Sequence, residues 1–401
     1  MHAWTDRRLL RSRFRMFRLI AASLVVGLTT FCAISLPVGA AQAAPTVWSL
    51  VPINVAYPSP GLASVSCTRP SYCVGVGGFQ DPGSATQTLV EVWNGTVWSI
   101  VPSPDEGTND PNVLDAVSCS SPKSCVAVGY WCSVDGCLEN QSLVEVWNGT
   151  VWSIVPSPDP GSRNQLSSVS CTSASSCKAV GAYCPDPGCP NPSWFQTQVD
   201  TWDGTTVSLD SSPNPNTGDN ILNAVSCVTA TKCQAVGLDD NRSIVGTLVE
   251  SWDGKAWSVA PSPNEGTDNE LLGVSCAHAN SCEAVGWLDH GYDSTPQQTL
   301  AESWNGRTWT VVPSVSPSTH FDILDSVSCT SATRCLAVGI YPTGPDGPAP
   351  IQVWDGTAWS EISGNIPNPD GGYSGLSCTT RTSCMILDSS QVIVEHRHHP
   401  G

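Results

Sequence analysis

Seven copies of one line constrain this chain more than any other feature. The line reads roughly L-x-x-V-S-C-x5-C-x-A-V-G and then T-L-V-E-x-W-[N/D]-G-x-x-W-S-x-V-P-S-P. Its first cysteine falls at Cys67, Cys119, Cys171, Cys227, Cys276, Cys329 and Cys378, at spacings of 52, 52, 56, 49, 53 and 49 residues. Periods of about 40 to 50 residues built from short strands mark blades stacked around an axis. The expected fold is therefore all-β, a seven-bladed β-propeller of four-stranded antiparallel blades with one disulfide per blade.

One copy fixes the strand positions. Leu114 to Cys119 reads as strand A, Cys125 to Gly129 as B, Ser142 to Trp147 as C and Val151 to Val155 as D, stopped by Pro156-Ser157-Pro158 because proline cannot continue a ladder. Asn-Gly or Asp-Gly stands between C and D at 94–95, 148–149, 203–204, 253–254, 305–306 and 355–356, the strongest short hairpin signal. A loop of either two or four residues leaves Glu91, Trp93 and Trp98 on one face, where the tryptophans can pack together. The last copy ends after Gln391 to Arg397 without its W-x-x-x-x-W hairpin, while Thr46 to Pro52 is a D-strand sequence with no C strand before it. The N-terminal strand is expected to join the last blade and close the ring, removing two raw sheet edges.

Residues 1–43 are set apart as a signal peptide: six arginines from Arg7 to Arg18 precede an apolar run from Leu19 to Val38, and Ala41-Gln42-Ala43 reads as a cleavage site. The competing reading is a retained membrane anchor. Residues 44–401 are expected to form a single propeller with blades near 61–104, 114–158, 166–213, 222–263, 271–315, 323–363 and 375–397 plus 46–52. Removing residues 1–43 lowers the basic count from 17 to 11 and the acidic count from 35 to 34, moving the formal charge from -18 to -23. Such a surface repels phosphate backbones and anionic lipid, so nucleic acid and charged membranes are excluded as partners. A secreted monomer is expected.

The cysteines argue for export independently. Seven C-x5-C pairs (Cys67/Cys73, Cys119/Cys125, Cys171/Cys177, Cys227/Cys233, Cys276/Cys282, Cys329/Cys335, Cys378/Cys384) and two C-x4-C pairs (Cys132/Cys137, Cys184/Cys189) leave no cysteine over after Cys32 of the leader. Local disulfides in an oxidising compartment are expected, with Cα separations of about 4.5 to 5.5 Å between opposed strands. A four-thiolate zinc site from the two C-x4-C pairs is the alternative if their loops meet.

The B, C and D strands, as in Cys125-Val126-Ala127-Val128-Gly129, Val144 to Asn148 and Val151 to Pro156, resemble kelch repeats, and Gly77-Gly78 supplies the double glycine once. The hairpin Asp355-Gly356-Thr357-Ala358-Trp359 is similar to the Asp-box of sialidase-type propellers, without the residue those place between Asp and Gly. Both resemblances imply a propeller. Their activities are not implied, because fold alone does not carry chemistry. Sialidases need an arginine cluster, whereas Arg69, Arg334 and Arg381 fall inside separate C-x5-C turns. Kelch-type copper oxidases need histidine ligands, whereas His278, His290 and His320 are scattered.

Glu91, Glu145, Asp200, Glu250 and Glu302, with Gln352 in the sixth place, stand two residues before the strand C tryptophan. A residue repeated on every blade cannot be a unique general acid, so these read as structural. Function is sought where the repeat breaks. The loops from B to C share a rim with those from D to A and carry Tyr130, Trp131, Tyr183, Trp194, Phe195, Trp287, Tyr292 and Tyr341, with Phe79 nearby. Aromatics among carboxylates suit the stacking of sugar rings or the grip of a protein. No catalytic residue, metal ligand or cofactor is assigned. The loops at 105–110 and 264–269 offer oxygens to calcium but lack EF-hand spacing. The leading expectation is a non-catalytic secreted propeller binding an extracellular glycan or protein. A polysaccharide-active enzyme using acids such as Asp239, Asp289 and Asp293 is the alternative, and a structural envelope protein the third reading.

Overall fold

Each copy of the repeat folds as an antiparallel meander whose turns are set by its own residues. A computed structural model describes residues 46–52, 61–80, 83–107, 110–132, 137, 139–189, 194–291, 297–317, 321–340, 350–362, 372–388 and 392–398. These residues are all-β. Ala44–Gly401 form one compact unit, and the expected leader lies outside the described residues. No helix among the described residues is long and apolar enough to cross a membrane.

The chain begins with β1 (Thr46–Pro52). The first meander is β2 (Gly61–Arg69), β3 (Tyr72–Gln80), β4 (Thr86–Trp93) and β5 (Trp98–Ile100). The second is β6 (Asn112–Ser121), β7 (Ser124–Cys132), β8 (Asn140–Trp147) and β9 (Trp152–Ile154). The third is β10 (Arg163–Ser173), β11 (Ser176–Cys184), β12 (Gln196–Trp202) and β13 (Val207–Leu209). The fourth is β14 (Asn220–Thr229), β15 (Lys232–Asp240), β16 (Val245–Trp252) and β17 (Trp257–Val259). The fifth is β18 (Asp268–His278), β19 (Ser281–Asp289), β20 (Gln298–Trp304) and β21 (Trp309–Val311). The sixth is β22 (Ile323–Ser331), β23 (Arg334–Ile340), β24 (Ile351–Trp354) and β25 (Trp359–Glu361). The last sheet takes β26 (Tyr373–Thr380), β27 (Ser383–Asp388) and β28 (Val392–His398), with β1 added beside β28. β1 runs antiparallel to β28, with Trp48 opposite His396. The N-terminal strand thus pairs with the last repeat, as expected.

The repeated letters have separate physical jobs. In the second meander Trp147 pairs with Trp152 across four intervening residues, and the two rings lie 5.7 Å apart. Asn148 Oδ1 accepts the N–H groups of Thr150 and Val151, while Gly149 adopts φ 95°, which favours glycine. The Trp147 indole N–H donates to Pro122 C=O in the neighbouring turn at 3.2 Å. The hairpins from A to B and from C to D therefore lie side by side on one rim.

The Gly of A-V-G answers to a close approach. Each first strand carries a bulge near its pairing start, as between Leu114 and Ala116 in β6. This drives the Val113 carbonyl to 2.0 Å from where a Cβ on Gly129 would stand. Gly181, Gly237, Gly286 and Gly339 face the same carbonyl approach.

The expected disulfides form, and the structure corrects their geometry and their setting. The seven C-x5-C bonds are Cys67–Cys73, Cys119–Cys125, Cys171–Cys177, Cys227–Cys233, Cys276–Cys282, Cys329–Cys335 and Cys378–Cys384. Their Cα atoms stand 3.9–4.0 Å apart, closer than the expected 4.5 to 5.5 Å. The register shift beside each pair, as between Cys119 and Ser121, lies where the strands draw together. The two cysteines of a pair also differ in burial. Cys73, Cys125, Cys177, Cys233, Cys282, Cys335 and Cys384 are buried core residues, whereas their partners on the first strand are half-buried. Cys73 packs with Leu62, Trp93 and Trp98, Cys233 with Val225 and Trp257, and Cys282 with Val274 and Trp309. These cystines are therefore part of the apolar core and not merely clasps on a solvated turn, because strand B enters the core at its cysteine. Cys132 bonds Cys137 and Cys184 bonds Cys189, so the four sulfurs do not form the alternative thiolate set.

Neighbouring meanders are stitched by the Ser of V-S-C. The backbone N–H groups of Cys119, Cys171, Cys227, Cys276, Cys329 and Cys378 donate to Ser66, Ser118, Ser170, Ser226, Ser275 and Ser328 Oγ, at 2.9–3.0 Å. Cys67 N–H donates in the same way to Ser377 Oγ, 310 residues away. Apolar clusters fill the seams between meanders. Val74, Val76 and Val90 of the first, for example, pack against Leu114, Val117 and Trp152 of the second.

Candidate binding rim

Opposite the hairpin turns, strands β3, β7, β11, β15 and β19 run further than the C-x-A-V-G motif. They carry several of the expected loop aromatics into the sheet. Phe79 pairs with Gln87, Trp131 with Gln141, Tyr183 with Gln196 and Trp287 with Thr299. Phe79 and Trp287 are each 6 % exposed, so their rings belong to the core. Trp287 was expected on the binding rim, and its burial removes it from there. Trp287 Nε1 donates to Glu270 Oε2 at 3.2 Å, while Asn223 of the fourth meander donates to Glu270 Oε1 at 2.9 Å. That chain ties two meanders together. Cys73, Cys233 and Cys282 are likewise buried within the apolar clusters.

Tyr130, Trp131, Tyr183, Trp194 and Phe195 are half-buried. Trp131 packs against the apolar seam of the first and second meanders. Tyr183, Trp194 and Phe195 gather instead at the third and fourth. Tyr183 OH donates to Gln196 Oε1 at 2.6 Å. Phe195 N–H donates to Asp219 Oδ1 at 2.8 Å, and Phe195 C=O accepts from Asn220 N–H at 2.8 Å. Tyr292 and Tyr341, and the acid Asp293, lie outside the described residues.

Arg242, in the turn before β16, completes this sector. Its guanidinium stands 5.0 Å from the Trp194 ring centroid, a cation–π contact. The backbone at Arg242 has φ 73°, and its N–H donates to Asp240 Oδ1. Burial raises the Asp240 carboxyl above its ordinary range; the Arg242 N–H opposes this, and Asp219 adds to it. Asp239 is also raised, by burial first, although Asn216 Nδ2 donates to its Oδ2. Ile244 beside Arg242 and Phe321 at the sixth meander are exposed, at 48 % and 38 %. Nothing in the repeat marks Arg242, Ile244 or Phe321: they stand in variable segments where the period carries no information.

The Cys184–Cys189 disulfide follows Tyr183 directly, and Ser162 Oγ donates to Asp186 C=O at 2.6 Å within the segment it closes; Cys132 bonds Cys137 in the second meander. The loops suggested for calcium are held by amides. Asn112 Nδ2 donates to Glu106 C=O and Asp110 C=O, and Asn269 Nδ2 to Gly266 C=O. Both asparagines are buried. No cluster of three metal-ligating side chains occurs among the described residues.

The chain has a β-propeller fold. It superposes on a solved structure titled "YCF48 bound to D1 peptide" with TM-score 0.53 and 11% identity, covering 89% of this chain and 100% of that one. It also superposes on the WD40 β-propeller domain of Doa1 with TM-score 0.54 and 10% identity, covering 88% and 98%. No protein-family model matches the chain, the kelch and Asp-box resemblances included, and no curated protein matches it. Likeness at this identity carries the fold alone.

The repeated acids fill the seams. Glu145, Glu250 and Glu302 are fully buried and Asp200 nearly so. Each accepts a hydrogen bond from the Pro-Ser-Pro serine of the preceding meander, or its equivalent: Ser103 to Glu145 at 2.6 Å, Ser157 to Asp200 at 2.8 Å, Ser212 to Glu250 at 2.8 Å and Ser262 to Glu302 at 2.6 Å. Burial pushes Glu145 up to about 8, and Asp200, Glu250 and Glu302 up to about 7. Below that range they are neutral latches between sheets. Raised carboxyls would ordinarily suggest acid catalysis, but four equivalent copies in sealed seams offer no substrate access.

Proposed function

We infer that residues 44–401 are an exported, non-catalytic seven-bladed propeller. In this reading β1 completes the last blade and closes the ring, and an extracellular protein or glycan is held on the rim of B to C and D to A loops. Closure is supported by the β1–β28 pairing and by the Cys67–Ser377 hydrogen bond, which repeats the bond found between every other adjacent pair of meanders. Export is supported by nine disulfides among the described residues, which persist in an oxidising compartment.

The observation that carries the binding reading is the Trp194–Arg242 pair. An exposed guanidinium over an indole, beside half-buried Tyr183 and Phe195, is an aromatic and cationic patch on an acidic molecule. Trp, Tyr and Arg are the residues enriched at binding hot spots. Loops stiffened by Cys132–Cys137 and Cys184–Cys189 lose less entropy on binding. The solved YCF48 structure is bound to a peptide, a precedent for a propeller neighbour taking a protein segment.

The experiment is a glycan array and a peptide display library probed with the mature protein, the wild type beside a Tyr183→Ala, Trp194→Ala, Arg242→Gln triple variant. Binding lost in a triple variant with an unchanged melting transition supports the rim. Retained binding places the site elsewhere, and release of reducing sugar from a polysaccharide would favour an enzyme instead.

A further inference from the structure

The molecule is strongly acidic, yet its cations are gathered on one face. None of the seven A to B turns, between the two cysteines of a C-x5-C pair, contains an Asp or Glu. Five of them carry a cation: Arg69, Lys123, Lys232, Arg334 and Arg381. Lys255 and Arg307 add two more from C to D turns, so seven of the eleven basic residues after residue 43 stand in these hairpins. The strand C indoles hold the two kinds of turn on one rim: Trp93, Trp252 and Trp354 donate to the carbonyls of Pro70, Ala230 and Ala332, as Trp147 does to Pro122.

These cations are available to a ligand. Arg69, Lys123, Lys232, Lys255, Arg307 and Arg381 are exposed, and Arg334 is half-buried. Among the described residues none of them forms an ion pair, whereas the buried Lys178 pairs with Asp210. The carboxylates within these turns are Asp203, Asp253 and Asp355, and Oδ1 of each already accepts two N–H groups of its own turn. Neighbouring cations lie within electrostatic reach. Burial first, then the charge of Arg381, lowers the affinity of Arg334 for its proton. The Asp253 carboxyl is held below its ordinary range by the Ala256 and Lys255 N–H groups, and then by the charges of Lys232 and Lys255. On the opposite rim the sign reverses: Asp105, Asp159, Asp186, Asp219, Asp239 and Glu265 stand in or beside connections that carry Arg163 and Arg242.

At physiological ionic strength exposed charges are screened over about 8 Å, so a ligand on the hairpin rim meets these cations rather than the net charge. A single exposed ion pair contributes only about 0–1 kcal/mol. Cations spread over six of the seven repeats therefore add up only for a ligand that carries many anionic groups in one chain. Ser121, Thr231, Thr333 and Thr382 stand in the same turns and offer hydroxyls to a sugar chain. A nucleic acid duplex, with one charge per about 1.7 Å, is repelled by the acidic remainder of the molecule more strongly than a polyuronate with one carboxylate per sugar. We propose that the hairpin rim docks an extended acidic polysaccharide, its carboxylates meeting the cations of several turns. This surface is opposite the Trp194 sector and does not depend on the ligand proposed there.

The test is calorimetric titration of the full mature protein with polygalacturonate, its methyl ester and duplex DNA. Polygalacturonate is expected to bind saturably and to weaken at least about tenfold between about 50 and 200 mM salt, as condensed counterions cease to drive association. The methyl ester keeps the sugars and loses the charge, so it is expected not to bind saturably, and duplex DNA to bind at least about tenfold more weakly. A Lys123→Gln, Lys232→Gln, Lys255→Gln triple variant is expected to weaken polygalacturonate at least about tenfold and to reduce the salt slope by about 2, whereas Trp194→Ala leaves both unchanged. Absence of saturable polygalacturonate binding overturns the proposal, as does equal affinity for the methyl ester or DNA, or unchanged affinity in the triple variant. Salt-sensitive self-association without polygalacturonate binding also overturns it, and would assign the basic rim to the acidic rim of a second copy. Should the triple variant fail to fold, Arg69→Gln with Arg381→Gln decides by the same criterion.

Discussion

The backbone N–H of Cys67 donates to Ser377 Oγ at 3.0 Å, joining residues 310 apart with the bond that elsewhere joins Cys119 to Ser66 and Cys276 to Ser226. A serine that accepts the N–H of the next repeat's cysteine explains why V-S-C recurs beside the disulfide. Removing the hydroxyl leaves a half-buried N–H without its partner, which costs about 1–3 kcal/mol. Ser377→Ala is therefore expected to destabilise as much as Ser226→Ala. Urea melts of both variants check this, and a Ser377→Ala effect near zero beside a substantial Ser226→Ala effect would show that the first and last repeats carry no shared load.

Gly129 faces the Val113 carbonyl so closely that an added Cβ would meet it at 2.0 Å. The obstacle is backbone, which cannot swing aside as a side chain does. Gly129→Ala should cost at least about 3 kcal/mol or prevent folding, within the range of severe substitutions. Thermal denaturation beside Ala127→Gly, a substitution in the same strand with no such clash, checks it. A loss under about 1 kcal/mol for Gly129→Ala would mean that the bulge relaxes.

The period, the cysteine pairs, the hairpin turns and the pairing of Thr46–Pro52 with the last repeat were all legible in the sequence, because each is a local pattern copied many times. Trp93 stacking on Trp98 followed from the hairpin register. The burial of Phe79 and Trp287 did not follow: strand B runs on through the motif's end, and nothing in Gly-Gly-Phe or Gly-Trp-Leu signals where pairing stops. Nor did the core position of Cys73, Cys233 and Cys282, since pairing by count says nothing about which cysteine of a pair faces inward. The latch from Ser103 to Glu145 was invisible as a contact, since it crosses 42 residues, although the acid's repetition did mark it as structural.

Lys178 is one of the few buried cations. Its ammonium bonds Thr201 Oγ1 at 2.6 Å, pairs with Asp210 and lies 3.8 Å from the Trp252 ring centroid in the next meander. Its side chain is 9% exposed, so an apolar replacement strands Asp210 without its counter-charge. Lys178→Met is expected to lose about 2–4 kcal/mol, and Lys178→Met with Asp210→Asn to recover part of it, as removal of both partners does for buried pairs. Chemical denaturation of the single and double variants reads the coupling. A double variant no more stable than Lys178→Met would mean that Asp210 is already satisfied by Thr201, whose hydroxyl also reaches it at 2.8 Å.

The acid latches make stability depend on pH in an unusual direction. Glu145 is pushed up to about 8 against an ordinary 4.5, and Glu250 and Glu302 up to about 7, each by burial, with the latch serine opposing the shift. A carboxyl whose folded pKa is raised is favoured in its neutral form. Its contribution is complete below about pH 4.5 and is lost as pH climbs through 7 to 8, where folding must hold a buried proton that the unfolded chain releases. Each unit of upward shift is worth about 1.4 kcal/mol at pH above the folded value. The sixth meander shows the uncharged solution: Gln352 stands at this position, accepting Val315 N–H at 3.0 Å and donating to Val315 C=O at 2.8 Å. Glu145→Gln should therefore leave stability at pH 5 within about 1 kcal/mol of the wild type and raise it at pH 9 by a larger amount, flattening the profile. Urea midpoints from pH 4 to pH 9 provide the check. A parallel shift of the two curves, with the alkaline loss intact in Glu145→Gln, would mean that Glu145 ionises in its seam with no penalty and that the alkaline instability lies elsewhere.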